Sequence, residues 1–226
     1  MLSAHGLSCV RGERPLFAGV DLALEPGQWL HVRGANGVGK TSLLRLLAGL
    51  SQPAEGEVRW QGQPIGACAA EFHSSLLFLG HTAALKEDLT ALENIELAGA
   101  LDGSPPARAE VAAALRRFGL QGREDLPVRV LSVGQKRRVL LARLLTRKGS
   151  LWVLDEPFTA LDARAVDMLG ELLADHLAGG GMAVVTSHQS VPLAGGQALN
   201  LDGATRQPAR PAAAQASLSV SLGGVF

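Results

Sequence analysis

A glycine-rich segment followed by a lysine and a threonine is the part of this sequence best suited to chemistry on phosphate. Residues 34–41 read GANGVGKT and match the pattern GxxxxGK[ST]. They lie between a predicted strand and a predicted helix. Glycines let consecutive backbone N–H groups point at one anion, and the N-terminal end of the following helix adds positive charge. The segment therefore predicts a nucleotide phosphate site made by Gly34, Ala35, Asn36, Gly37, Val38, Gly39, Lys40, Thr41 and Ser42.

Two residues of this phosphate loop, defined as residues 34–41, have side chains with specific expected roles. Lys40 is long enough to reach the β- and γ-phosphates of ATP. Thr41 supplies a hydroxyl that suits Mg²⁺. The alternative is a glycine turn with an incidental lysine.

Two adjacent acids follow an apolar stretch further along the chain. Residues 151–154 read LWVL, and Asp155 and Glu156 come next. In a phosphate-loop protein the aspartate after such a strand holds Mg²⁺, so Asp155 and Thr41 are the predicted metal residues. Glu156 is predicted to polarise the water that attacks the γ-phosphate. The alternative is a strand end capped by two solvated acids.

The elements around these residues predict the fold class. Apolar runs predict strands at 2–10, 16–24, 28–33, 56–60, 151–154 and 182–186, and helical spacing predicts helices at 40–50, 104–118, 135–147 and 163–177. This order predicts an α/β fold, with a phosphate-loop NTPase core, an antiparallel β subdomain and an inserted helical lobe at about 82–148. We expect a single domain over residues 1–203 and a weakly ordered tail over 204–226.

Composition excludes several other classes of protein. The 226 residues include 21 Lys+Arg and 21 Asp+Glu, so the net charge is zero and no nucleic-acid partner is predicted. Apolar residues make up 47%, which suffices for a substantial core. No run approaches 18 consecutive apolar residues and the N-terminus lacks the apolar core of a signal peptide, so we expect a cytosolic chain.

Three further motifs follow the phosphate loop. Residues 131–135 read LSVGQ, residues 154–162 read LDEPFTALD, and residues 186–188 read TSH. Taken alone, LSVGQ is a helix start with a serine cap, and a histidine after a strand is usually structural. In this order and spacing, however, the chain resembles the ATP-binding subunits of ABC transporters over about residues 1–203.

The resemblance implies an ATPase that uses ATP and Mg²⁺ in a head-to-tail dimer with a second copy of itself. The signature segment, defined as Leu131, Ser132, Val133, Gly134 and Gln135, would complete the site of the other copy. Ser132 and Gly134 would contact its γ-phosphate. Asp162 corresponds to the D-loop aspartate, and His188 to the switch histidine that acts with Glu156 in catalysis.

Two positions depart from the family's pattern. Many relatives stack adenine on an aromatic residue at the position of Arg11, where a guanidinium plane can also stack. Phe17 is the other candidate, although we expect it to pack in the core. Many relatives have glutamine at the hinge of the helical lobe where this chain has His81. His81 could orient water or bind a metal, or it could have no catalytic role.

Several strings are similar to one branch of the family, the ATP-binding subunits for cytochrome c maturation, also called haem exporters. The sharpest are LGH at residues 79–81 and SVGQKRR at residues 132–138. This resemblance implies a peripheral subunit on the cytoplasmic face of a bacterial inner membrane, with a multi-spanning membrane subunit and haem-handling membrane proteins as partners. ATP-driven dimer closure would be coupled to haem export or to release of a haem-loaded chaperone.

Two other functions stay open at this point. One is the ATP-binding subunit of an ABC transporter for another substrate. The other is a soluble ATP-switch protein that acts on a protein partner. A transporter subunit predicts an apolar docking groove around residues 82–100, between the core and the helical lobe. A soluble switch acting on a protein or nucleic acid predicts a basic stripe or a second cassette, and neither is seen in the sequence.

Overall fold

The computed structural model describes residues 1–81 and 84–204. Thr82, Ala83 and residues 205–226 lie outside the described residues, and so does nearly all of the predicted tail. The strands described are β1 (Leu2–Arg11), β2 (Arg14–Leu24), β3 (Trp29–Arg33), β4 (Glu55–Trp60), β5 (Gln63–Pro64), β6 (Leu76–Leu79), β7 (Leu151–Leu154), β8 (Met182–Thr186) and β9 (Gln197–Asn200). The α-helices are α1 (Lys40–Leu47), α2 (Ala69–Ser75), α3 (Ala91–Leu101), α4 (Arg108–Arg117), α5 (Val133–Thr146) and α6 (Ala163–Ala178).

An antiparallel sheet with strand order β2-β1-β4-β5 forms the subdomain that the sequence predicts. β1 and β2 are joined by a tight turn in which Arg11 pairs with Arg14. Gly12 within this turn has φ +62°, a conformation that glycine adopts without steric cost. The turn therefore fixes the position of Arg11 at the end of β1.

A five-stranded parallel sheet with order β6-β7-β8-β3-β9 forms the core of the α/β fold. In β7, Leu151 and Val153 pack into the core that includes α1, whereas Trp152 and Leu154 pack into the core on the helical side. Both faces of β7 are therefore buried, which explains why its sequence is a continuous apolar run. The α/β class and the phosphate-loop core are confirmed.

The parallel sheet brings the predicted site together at one edge. The carboxyl ends of β3, β6, β7 and β8 all meet there, because parallel neighbours point the same way. β3 leads into the phosphate loop, β6 leads to His81, β7 leads to Asp155 and Glu156, and β8 leads to His188.

Three predicted helix boundaries were wrong by two residues or more. α1 ends at Leu47 rather than residue 50, because Gly49 adopts φ +69° just after it. α4 begins at Arg108 rather than Ser104, because each of the two prolines disfavours helical geometry in the residue before it. α5 begins at Val133, two residues before the predicted start, because Ser132 caps it. No helix in the described ranges is both long and apolar enough to cross a membrane.

Candidate ATP-binding and hydrolysis site

A pocket of about 270 Å³ lies at the carboxyl edge of the parallel sheet. It gathers residues from the phosphate loop, the β1–β2 turn and the ends of three other strands. The lining residues are Arg11, Leu16, Asn36, Gly37, Gly39, Lys40, Thr41, Ser42, His81, Asp155, Glu156 and His188. Apart from Leu16, each of them is a candidate from the sequence, and for His81 the sequence also allows no catalytic role.

The phosphate loop has the backbone geometry of an anion cradle. Gly34, Gly37 and Gly39 have φ values of +141°, +80° and +113°, which residues with a Cβ rarely adopt. Gly39 is the N-cap of α1, so the positive end of that helix faces the loop. A Cβ on Gly39 would lie 3.1 Å from the Phe17 ring, which is 1% exposed. Phe17 therefore packs beneath the loop, as predicted, and Arg11 is the predicted adenine residue that faces the pocket.

The Lys40 ammonium folds back onto its own loop. Its Nζ donates to the carbonyl oxygens of Gly34 at 2.8 Å and Ala35 at 3.2 Å, and it lies 3.5 Å from His188 Nε2. Lys40 is only 9% exposed. A buried ammonium held by neutral carbonyls has no carboxylate to neutralise it in these bonds, so it is well suited to receive an anionic phosphate.

Asp155 is held by two hydroxyl groups. Its Oδ2 accepts from Thr41 Oγ1 at 2.7 Å, and its Oδ1 accepts from Thr186 Oγ1 at 2.7 Å. Asp155 is 1% exposed. The Thr186 Oγ1 also accepts the backbone N–H of Glu156 at 2.8 Å. Thr186 thus links the Asp155 carboxylate to the backbone of Glu156.

Mg²⁺ fits a site formed partly by these side chains and partly by the nucleotide. The Thr41 hydroxyl and the Asp155 carboxylate are hard oxygen donors that meet on the pocket wall. Within residues 1–81 and 84–204, no group of three or more His, Cys, Asp or Glu side chains could hold a metal by itself. Mg²⁺ usually takes one or two protein oxygens together with substrate phosphates and water, so Thr41 and Asp155 form a suitable protein part of its site.

Glu156 and His188 face each other across the pocket. Glu156 Oε1 lies 3.4 Å from His188 Nε2, at the outer limit of hydrogen-bond distance, and forms no well-aligned hydrogen bond with the described residues. The Glu156 side chain is 12% exposed and that of His188 is 52% exposed. A nearly buried carboxylate oxygen with spare accepting capacity is what a water-polarising residue requires.

The signature segment lies outside this pocket. Ser132 caps α5, because its Oγ accepts the Gln135 N–H at 3.3 Å while Gln135 Oε1 accepts the Ser132 N–H at 2.9 Å. Leu131 is buried and Val133 is 75% exposed. A Cβ on Gly134 would lie 3.0 Å from the carbonyl oxygen of Ala160. Within one chain the structure therefore does not bring residues 131–135 to the phosphate loop.

Asp162, the predicted D-loop residue, caps α6. Its Oδ1 accepts the Ala165 N–H at 3.0 Å, and its Oδ2 accepts from Arg138 Nη2 at 2.6 Å. The hydrogen bond from the Ala165 N–H, more than the neighbouring Arg138 charge, lowers the pKa of Asp162. Asp162 thus ties the start of α6 to α5.

Three further residues near the site were not predicted by sequence reasoning. Arg137 donates to the carbonyl oxygens of Asp155 and Glu156. Asp202 accepts the Ala35 N–H at 2.8 Å and so anchors the start of the phosphate loop. His31 Nε2 lies 3.3 Å from the Ser187 carbonyl oxygen, next to His188. The SVGQKRR string includes Arg137, but no local pattern signals its contacts.

Burial changes the pKa of two of these unpredicted residues. Desolvation lowers the pKa of His31, which favours a neutral ring that donates from Nε2 and accepts from Arg33 at Nδ1. Desolvation also lowers the pKa of Arg137, and the Asp155 and Glu156 carboxylates oppose that shift.

Comparison with known proteins finds a family model and relatives that are similar to this chain in sequence. The family model described as "ABC transporter" matches residues 17–159. The chain is 53% identical over 201 residues to the cytochrome c biogenesis ATP-binding export protein CcmA of Methylococcus capsulatus, covering 88% of this chain and 97% of that protein. It is 52% identical over 196 residues to the protein of the same name in Dechloromonas aromatica, covering 87% and 96%.

A solved structure shows the same fold. The dimeric post-hydrolysis structure of the ATP-binding cassette MJ0796 bound to ADP and Pi superimposes with a TM-score of 0.72. The match covers 84% of this chain and 88% of that one, at 24% identity.

Proposed function

Because this chain belongs to the ABC transporter family, we propose that it is the ATP-hydrolysing subunit of a membrane complex for c-type cytochrome biogenesis. The observation that carries the ATPase part is the single pocket shared by Lys40, Thr41, Asp155, Glu156 and His188. The identity of about half over nearly the full length of two CcmA proteins supports the biogenesis part. Residues 1–203 would act as one ATPase domain with the helical lobe at about 82–148.

In the proposed reaction, residues of this chain bind the nucleotide and prepare a water molecule. Lys40 leaves the carbonyls of its own loop and contacts the β- and γ-phosphates, while Arg11 stacks on the adenine. Thr41 and Asp155 would hold Mg²⁺, which would neutralise phosphate charge when bound. Glu156 accepts a proton from the attacking water, and His188 stabilises the γ-phosphate beside it.

A second copy is proposed to complete each site. Ser132 and Gly134 lie away from the pocket of their own chain, so they are available to another. The MJ0796 cassette bound to ADP and Pi is dimeric, which supports the proposal of a dimer. Closure around ATP and opening after hydrolysis would drive the membrane partner.

The proposed setting is the cytoplasmic face of a bacterial inner membrane, where the chain would be bound peripherally. Its partners would be a multi-spanning membrane subunit, docked near residues 82–100, and haem-handling membrane proteins. The work done would be haem export or release of a haem-loaded chaperone. The names of both CcmA relatives favour this function over another substrate or a soluble switch.

The test is complementation in a bacterium lacking its own copy of this subunit. Wild-type protein should restore covalently haem-bound cytochromes c, measured by haem staining of membrane fractions. Glu156→Gln keeps the shape of the side chain but loses the charge that accepts the proton, so it should assemble and fail to restore them. Glu171→Gln, an exposed glutamate on α6, serves as the control and should restore them. Full cytochrome assembly with Glu156→Gln would contradict the proposal.

A further inference from the structure

A buried arginine of α5 reaches the strand ends that carry the predicted metal residue Asp155 and the predicted catalytic residue Glu156. Arg137 is 8% exposed, and its guanidinium faces four backbone carbonyl oxygens. Nη2 donates to Asp155 at 2.9 Å and to Glu156 at 2.6 Å. Longer bonds run from Nη1 to Gly80 at 3.3 Å and from Nε to Pro157 at 3.4 Å. A buried guanidinium is costly unless its donors are satisfied, and here the ends of β6 and β7 satisfy them.

The backbone of Glu156 is in a conformation that must be held in place. Its φ is +50°, a left-handed value that is uncommon for residues other than glycine and asparagine. The Glu156 N–H donates to Thr186 Oγ1, and the Glu156 carbonyl accepts from Arg137. The carbonyl also accepts the Thr159 N–H, at the longer distance of 3.2 Å. Because backbone orientation sets where the side chain points, these contacts aim the Glu156 carboxylate.

The same arginine belongs to the helix that the signature segment begins. Arg137 lies five residues after Ser132, the N-cap of α5. The start of α5 also packs tightly on the loop after Glu156, since a Cβ on Gly134 would lie 3.0 Å from the Ala160 carbonyl oxygen. A displacement of α5 would therefore move the guanidinium that holds the Glu156 backbone.

We infer that Arg137 is a positioning residue that ties the signature helix α5 to the ends of β6 and β7 and aims Glu156 for hydrolysis. The inference rests on the proposed function, because it assigns Arg137 a role in that reaction. In a dimer, α5 begins at the segment proposed to contact the nucleotide of the other copy. Arg137 thus connects that contact to the water-polarising carboxylate of its own chain, and it contributes to the rate of hydrolysis rather than to ATP affinity.

The test separates kcat from ATP binding in the full chain assembled with its membrane subunit. Arg137→Gln cannot reach all four carbonyls, so kcat should fall on the order of 100-fold, the effect of a misaimed catalytic group. ATP affinity should stay within about threefold of wild type, because the phosphate loop is untouched. Arg137→Lys keeps the charge but lacks the planar fork of donors, so it should give an intermediate kcat.

Arg143→Gln is the matched control. Arg143 lies on the same helix, its pKa is also lowered by burial, and its main partner is Asp102, away from the pocket. This variant should lose thermal stability as Arg137→Gln does but keep the wild-type kcat. Wild-type kcat in Arg137→Gln, or an equal kcat loss in Arg143→Gln, would overturn the inference. If Arg137→Gln does not fold, wild-type kcat in Arg137→Lys would overturn it instead.

The two proposals fail in different ways. An active wild type, an inactive Glu156→Gln and a fully active Arg137→Gln would overturn the role of Arg137 and leave the proposed function standing. A wild-type protein that hydrolyses no ATP with its membrane subunit would contradict the proposed function and this inference with it.

Discussion

Asp155 and Glu156 are neighbours in sequence, yet their surroundings give them different chemistry. The Asp155 carboxylate is buried and accepts hydrogen bonds from two threonine hydroxyls. The Glu156 carboxylate keeps an oxygen without a well-aligned partner among the described residues and points towards His188. The first environment suits an anion that stays fixed beside a cation, and the second suits a group that accepts a proton from water.

His176 on α6 predicts a dependence of stability on pH. Its ring stacks on Trp152 with 3.8 Å between centroids, and its Nε2 lies 3.1 Å from the Met182 carbonyl oxygen. Burial lowers the pKa of His176, so the unfolded chain binds a proton at a higher pH than the folded protein does. The free energy of unfolding should therefore fall as the pH drops below the unfolded value of about 6.5.

The variant His176→Phe keeps a stacked ring and removes this proton. Between pH 7.5 and 5.5 its free energy of unfolding, measured in urea, should fall less steeply than that of wild type, by up to about 1 kcal/mol per pH unit. The exposed His5 provides the control, and His5→Gln should follow wild type. Parallel curves for wild type and His176→Phe would show that His176 does not contribute to the acid sensitivity.

At the residue scale, the sequence predicts those site residues that lie close together along the chain. The phosphate loop and the pair Asp155–Glu156 are contiguous, so their roles can be proposed from a few letters. Thr186 lies 31 residues from its partner Asp155, and Asp202 lies 167 residues from Ala35. Those contacts exist because parallel strands bring distant segments together, and no motif in the chain encodes them.

At the scale of elements, two helices begin with the same capping arrangement. Thr90 caps α3, where its Oγ1 accepts the Glu93 N–H at 3.1 Å and Glu93 accepts the Thr90 N–H at 2.8 Å. Ser132 caps α5 in the same way with Gln135. Both arrangements satisfy backbone donors that the helix leaves free. Only α5 begins at the segment proposed to meet a second copy.

We predict that replacing these two capping residues has similar effects on stability but different effects on ATP hydrolysis. Thr90→Ala and Ser132→Ala should each lower the free energy of unfolding by about 1 kcal/mol, the usual cost of losing a cap. ATP hydrolysis with the membrane subunit should fall only in Ser132→Ala, because its hydroxyl is proposed to contact the γ-phosphate of the other copy. Equal activity in the two variants, measured at saturating ATP, would assign Ser132 a capping role alone.

Element prediction works best where a segment carries its own pattern. The strands at 151–154 and 182–186 match β7 and β8, because both are buried on two faces and read as apolar runs. β9 reads QALN and was not predicted, because its strand conformation comes from pairing with β3. α2 was also not predicted, since only Phe72 of its seven residues is buried and it shows no periodicity.

At the scale of the whole molecule, we propose that one chain holds the parts of two half-sites. The phosphate loop, Asp155, Glu156 and His188 share a pocket, whereas the signature segment lies elsewhere on the same chain. The fold class follows from the order of strands and helices. We propose that the signature segment serves another copy, because it lies outside the pocket of its own chain.

Mixing two inactive variants tests that claim most directly. Lys40→Ala damages the phosphate loop, and Ser132→Arg adds bulk where the γ-phosphate of the other copy should lie. In a mixed dimer one interface carries both lesions and the other carries neither, whereas each homodimer has two damaged sites. We predict that an equal mixture, assembled with the membrane subunit, recovers up to about a quarter of wild-type ATPase activity, since half of the dimers gain one intact site. Strong ATPase activity in the Ser132→Arg homodimer, folded as judged by its thermal melt, would contradict the head-to-tail dimer.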